Sequence, residues 1–148
     1  ARERTRLLKL FPGEFAAIEH IGSTSVPQLR AKPIIDVMAG VASMEQAIAL
    51  GPHLCRAGYT TSEEFNRSLS DRQWFMRWSR GHRTHHLHVV VHEGPQWFRR
   101  LRFRQALRDD PALAARYVAL KERLAALYAG DRERYTGGKA DFIDRACA

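Results

Sequence analysis

The sequence predicts an α+β domain: a mixed β-sheet backed by helices, with a helical C-terminal part. Three observations carry this reading. Four short stretches, Ala16–Ile21, Lys32–Val41, Gln73–Ser79 and Thr84–His92, alternate in side-chain character and are bounded by glycine, proline or polar turns. One helical segment separates the second stretch from the third. From Pro95 onward the apolar residues recur every three or four positions instead.

Taken in order, residues 1–10, with Leu7, Leu8 and Leu10, end a helix that Pro12-Gly13 stops. Ala16–Ile21 is a short strand running into the turn Gly22-Ser23-Thr24-Ser25. Lys32–Val41 is the second strand, with Gly40 near its end. Ser43 caps a helix reaching about Ala57, which Gly58 stops. Residues 59–71 are polar and read as a short strand and a loop. Gln73–Ser79 and Thr84–His92 then pair around Arg80-Gly81-His82-Arg83.

Glu93-Gly94-Pro95 opens a helix carrying Trp97, Phe98 and Leu101. Asp110-Pro111 supplies a cap and a proline at the first helical position of the next. Its apolar stripe is Leu113, Tyr117, Leu120, Leu124 and Leu127. Gly130-Asp131 ends that helix and begins a last helical segment. The chain has no repeat or linker. Residues 1–148 therefore read as a single domain, and 45% apolar content is enough for a core.

The formal net charge is +8, with 20 arginines and 4 lysines, which points to an anionic partner. The arginines are spread along the chain, without the interleaved aromatics of a single-strand binding platform. Nucleic acid thus stays an alternative partner behind a solvated basic surface. No stretch approaches the roughly 18 apolar residues of a membrane span. Cys55 and Cys147 show neither metal nor disulfide spacing, so free thiols in a reducing, cytoplasmic setting are expected. Nothing in the sequence specifies an oligomeric state.

Strand alternation assigns faces. In the second strand Ile35, Val37, Ala39 and Val41 share one apolar face, which turns Asp36, Ile34 and Met38 the other way. In the last strand Leu87, Val89 and Val91 are apolar, with His86, His88 and His92 opposite. With helices packed on the apolar side, Asp36, His86 and His88 share an open face. A carboxylate and two imidazoles can hold a divalent metal. Equally, the imidazoles can contact phosphate or serve as a base near neutral pH, or they simply line a polar face. His85 points the other way and is expected to be packed.

The turn offers a second piece of chemistry. Gly22, Ser23, Thr24 and Ser25 present backbone N–H groups and hydroxyls, donors suited to phosphate oxygens, and the hydroxyls equally suit a helix cap. Lys32 either reaches a phosphate or sits in water. Lys121 and Lys139 lie on the apolar faces of Tyr117 and of Phe142 and Ile143, where each either snorkels or meets an anion. Arg104 and Arg108 read as solvated or paired with Asp109 and Asp110. Trp74, Met76 and Trp78 alternate onto one strand face, where a core or interface role is preferred over base stacking.

The string Glu19-His20-Ile21-Gly22-Ser23-Thr24-Ser25-Val26-Pro27, followed by Lys32-Pro33-Ile34-Ile35-Asp36-Val37-Met38, resembles the GrpB-like family. His86-Leu87-His88-Val89 agrees with it. So do Phe103-Arg104, Leu107-Arg108, Pro111, Tyr117, Leu120-Lys121, Tyr135, Lys139 and Phe142-Ile143. The resemblance implies a nucleotidyltransferase-like fold and a nucleotide or other phosphorylated small molecule as ligand. It further implies a divalent metal, magnesium or manganese before zinc, held by Asp36, and nucleotidyl transfer to an acceptor.

Ser23 and its turn would then hold phosphates, while Lys121 or Lys139 offsets charge. Three departures stand out. Gln28 replaces a glycine, family members begin further upstream than Ala1, and Met38 stands where the superfamily places a second metal-binding acid. A thioether is no magnesium ligand. The alternatives are therefore a non-catalytic nucleotide- or phosphate-binding accessory module and, behind it, an RNA-binding protein.

Overall fold

The four alternating stretches assemble into one sheet. The computed structural model describes residues 2–22 and 34–127, together with 139, 142, 143 and 145. Its elements are α1 (Arg2–Leu10), β1 (Ala17–Ile21), β2 (Ile35–Val41), α2 (Met44–Arg56), α3 (Glu63–Arg67), β3 (Arg72–Ser79), β4 (His82–Val91), α4 (Pro95–Asp109) and α5 (Pro111–Leu127). The sheet order is β1-β2-β4-β3. β1 runs antiparallel to β2, β2 parallel to β4, and β3 antiparallel to β4. A parallel pair needs a long crossover, which α2, α3 and β3 provide.

The caps act as the sequence predicts. Ser43 Oγ accepts the Gln46 N–H at 3.1 Å. Asp110 Oδ1 accepts the N–H groups of Ala112 and Leu113, each at 3.1 Å. Two local features differ from expectation. The β3–β4 connection is tighter than four residues, because Arg80 and Gly81 adopt φ of 52° and 79° and make a two-residue hairpin turn. Within 59–71 the strand shrinks to one bridge, Thr60 to Met76, and α3 forms instead. Ser62 Oγ caps it through the Phe65 N–H, with Glu63 and Glu64 in the first turn.

Both faces of the sheet are covered. On one, Val37, Ala39, Val41, Phe75, Leu87 and Val89 pack against Leu7 of α1 and Ala47, Leu50 and Leu54 of α2. Each large side chain buried there contributes about 1.5–3 kcal/mol. On the other, Ile21, Met38 and Val90 lie beneath Trp97 of α4, with Leu101 beside them. Gly40 leaves room for that indole: a Cβ there would stand 3.0 Å from both Trp97 and His92.

The face carrying Asp36 is therefore not open, as strand alternation alone suggests, but half roofed by α4. The reason is that Met38, Val90 and Ala17 share its parity and give α4 an apolar footing. Beyond α4, Phe103 and Leu107 meet Ala114 and Tyr117 of α5, with Phe142 and Ile143 against them.

Candidate functional site

Register brings the site together. The parallel β2–β4 pairing sets Asp36 opposite His86 and Met38 opposite His88. Asp36 Oδ1 lies 3.4 Å from His86 Nδ1 and 3.8 Å from His88 Nε2. At the end of β1, Gly22 has φ of 75°, and a Cβ there would fall 2.5 Å from Asp36 Oδ2. Both the backbone conformation and the close approach demand glycine. The carboxylate, the two imidazoles and the first residue of the turn thus converge at the margin of α4. Side-chain exposures of 24% for Asp36 and 23% for His86 leave them within reach of a small molecule. Ser23, Thr24, Ser25 and Lys32 lie outside the described residues.

Two arginines complete the site, and neither stood out in the sequence. Arg100 projects from α4 into the electrostatic neighbourhood of Asp36, His88 and Arg72. Arg72 shares the strand parity of Trp74, whose cross-strand partner is His88. Among the described residues, the Nε atoms of both arginines are buried without a hydrogen-bond partner, as are His86 Nε2 and His88 Nδ1. Asp71, 3.6 Å from Arg72 Nη1, is a loose and exposed counter-ion. Two signals pointed here: the parity of Arg72, and the helical spacing Trp97, Arg100, Leu101, Arg104, which lines these residues along one side of α4.

Electrostatics follow from burial and these neighbours. Burial first, and Arg100 second, push the His88 imidazole down to about 3, so it is neutral near pH 7. Burial alone would raise the Asp36 carboxyl, but bonds from His86 and His88 outweigh it and hold Asp36 well below the usual carboxylate range. Burial, then Arg72, lowers Arg100 to about 10, leaving it a cation. The 3.4 Å approach of His86 Nδ1 to Asp36 Oδ1 favours a proton on that nitrogen.

The metal reading of Asp36, His86 and His88 gains no support from the donor set. Among the described residues no group of three or more histidines, cysteines and acids is arranged to hold a metal ion. Met38 is fully buried and packs in the cluster under Trp97, so the place of a second acid is core.

The remaining candidates disperse. Lys121 sits with Nζ 5.3 Å from the Tyr117 ring centre, a cation–π contact rather than plain snorkelling. Lys139 is half-buried. Arg104 bonds Glu19 Oε2 at 2.9 Å and the His20 carbonyl at 3.0 Å, tying α4 to β1 instead of pairing with Asp109 or Asp110. His85 faces the opposite side, as expected, 3.3 Å from Glu3. Cys55 is exposed and unbridged. Among the described residues no helix is long and apolar enough to cross a membrane.

The fold and site together define an α+β protein with one mixed sheet, helices on both faces and a half-buried polar cluster at the edge of one helix. The chain belongs to the GrpB family, whose model, described as GrpB protein, matches residues 1–148. It is 38% identical over 144 residues to UPF0157 protein YqkA of Bacillus subtilis, covering 97% of this chain and 41% of that protein. This chain thus spans less than half of that relative. Glutamate-rich protein GrpB of Alkalihalophilus pseudofirmus is 30% identical over 147 residues, covering 97% of this chain and 83% of that one. The crystal structure of conserved protein GrpB from Enterococcus faecalis superposes with a TM-score of 0.78 at 34% identity, covering 99% of this chain and 88% of that one.

Proposed function

We propose that this chain binds a phosphorylated small molecule, nucleotides included, at the Asp36–His86–His88 edge, with Arg72 and Arg100 as the phosphate-holding groups. One observation carries this reading: two half-buried arginines, each with a buried Nε that has no partner among the described residues, flank the cluster. Burying such donors unpaired costs on the order of 1–3 kcal/mol each, and an anion with several oxygens offsets that through charge-assisted, forked hydrogen bonds.

Gly22, which abuts Asp36, opens the sequence Gly22-Ser23-Thr24-Ser25, whose residue types suit phosphate oxygens. Neutral His88 adds a hydrogen-bonding edge. Asp36 orients His86, whose Nε2 then has the character of a proton acceptor toward bound ligand. Met38 favours binding without two-metal transfer, the accessory-module reading, over nucleotidyl transfer.

The test is calorimetric titration of the whole chain with pyrophosphate and with ADP, in chelator and again with Mn²⁺. Binding in chelator that Arg100→Met abolishes is the expected result. Absence of binding by the unmodified chain, or undiminished binding by Arg100→Met, would overturn the reading. Affinity that rises with Mn²⁺ and loses that rise in Asp36→Asn would restore the metal-dependent alternative. Salt-sensitive retention of RNA without pyrophosphate binding would favour the nucleic-acid one.

A further inference from the structure

The β3–β4 hairpin is one-sided in charge. From Arg72 to Val91 it carries four arginines and four histidines, and no aspartate or glutamate. Its tip, residues 78–82, is exposed. The six residues from Arg72 to Trp78 span roughly 20 Å at the rise of a strand, so the tip stands well away from Arg72. Between Arg77 and Trp78 the register slips: Arg77 faces His85, whereas Trp78 faces Arg83, leaving Thr84 as an extra residue on β4. Such a bulge re-aims the side chains beyond it. Arg83, which strict alternation would send to the α1–α2 side, lies instead against two indoles. Its guanidinium carbon is 5.2 Å from the Trp78 ring centre and 5.9 Å from that of Trp74.

The two indoles are not equivalent. Trp74 is buried, packed edge-on to Phe65, in the core role that its sequence position suggests. Trp78 is 46% exposed, yet its Nε1 donates to Thr60 Oγ1 at 2.9 Å. That bond fixes the ring and occupies its one donor, so what Trp78 offers outward is apolar aromatic surface at low entropic cost. The turn is unusual as well. Arg80 adopts φ of 52°, in a position where two-residue hairpin turns favour asparagine, aspartate or glycine. An arginine is strained there, and the strain holds a cation at the exposed tip between Trp78 and Arg83 in the chain.

We infer that the hairpin tip is a docking surface for single-stranded nucleic acid. One unpaired base stacks on Trp78, and the neighbouring backbone phosphates meet Arg80, with Arg83 adding charge beside the ring. This is a second surface, and it does not rest on the phosphate-binding reading of the Asp36 edge. An aromatic platform flanked by cations is what sequence-tolerant strand binding needs. The arginines look scattered along the sequence because only the bulge brings Arg83 to an indole. Two other anionic partners fit less well. A tryptophan anchored among lipid headgroups keeps its polar edge toward the wet side, whereas this one donates to Thr60. A duplex keeps its bases stacked on one another and has none to spare for the ring.

The experiment is fluorescence anisotropy of a labelled oligouridylate of about twelve nucleotides, long enough for such a site, titrated with the whole chain over a range of salt. The unmodified chain should bind it, more weakly as salt rises, and should bind a duplex of the same length less well. Trp78→Ala should lose about tenfold in affinity, the scale of one stacked base, and Trp78→Phe should keep most of it. Arg80→Gly relieves the strained turn, so its Tm should rise while its affinity falls and its salt slope shrinks by about one. That variant separates binding from folding. No binding by the unmodified chain, or equal affinity in all of these proteins, overturns the inference. Equal binding of duplex and single strand overturns it too. So does binding lost in Arg100→Met and kept in Trp78→Ala, which would assign the strand to the Asp36 face.

Discussion

Two carboxylates lie on opposite faces of the same sheet, and their surroundings differ in one respect. Glu3, 4% exposed at the side chain, is saturated. Oε1 accepts from Arg6 at 3.0 Å and from the Tyr59 hydroxyl at 2.9 Å. Oε2 takes Arg77 and lies 3.3 Å from His85 Nε2. The partners come from α1, the segment after α2, β3 and β4, so this cluster fastens α1 to the sheet.

Burial would raise the Glu3 carboxyl, but bonds from Arg6, Tyr59 and Arg77 hold it low. Burial, then Glu3, pushes the Tyr59 hydroxyl well above its ordinary value. Among the described residues Asp36 has two long imidazole contacts, while the arginines beside it keep unpartnered nitrogens. A saturated cluster serves the fold. The unsaturated one, at an accessible edge, is the one we propose serves a ligand.

This contrast can be broken by substitution. Glu3→Gln should be the costliest change, about 3 kcal/mol, since it strands two guanidinium groups against a neutral amide. In thermal melts that is a fall of roughly 10 °C. Gly22→Ala should cost about 2 kcal/mol, combining a left-handed backbone with overlap onto Asp36, and should weaken pyrophosphate binding as well. Asp36→Asn should cost only about 1 kcal/mol, because its imidazole contacts are long, at 3.4 and 3.8 Å, and an amide oxygen still accepts. Equal losses for Glu3→Gln and Asp36→Asn in urea titrations would erase the distinction drawn here.

A further difference lies in the pH profile. His88 binds its proton near pH 6.5 when unfolded but only near 3 when folded. Between those values the unfolded chain holds more protons, so stability falls as pH falls. His88→Gln should remove up to about one proton of that slope, read as a shallower drop in Tm from pH 6.5 to 4. An unchanged slope would place His88 outside the buried cluster.

The parts of this molecule that were legible in sequence depend on local rules. Ser43, Asp110 and Gly58 marked helix ends because capping is a property of a few adjacent residues. Asp36, His86 and His88 were grouped correctly because strand parity assigns faces without reference to the rest of the chain. α3 escaped because five residues are too few to show a helical period. Arg72 and Arg100 escaped for a different reason. Their role depends on α4 crossing the Asp36 face, a tertiary fact that becomes visible only once Trp97 is seen lying over Gly40. The bulge that swings Arg83 onto Trp78 likewise breaks the alternation by which strand faces are assigned from sequence.

The most direct test of the central claim is the thermal stability of Arg100→Met with and without pyrophosphate. If Arg100 is present for a ligand rather than for the fold, replacing a buried cation with an apolar chain of similar reach should leave Tm unchanged or raise it by a few degrees. It should also abolish the rise that pyrophosphate produces in the unmodified chain. A loss of stability on the scale of Glu3→Gln, with the pyrophosphate response intact, would contradict the account.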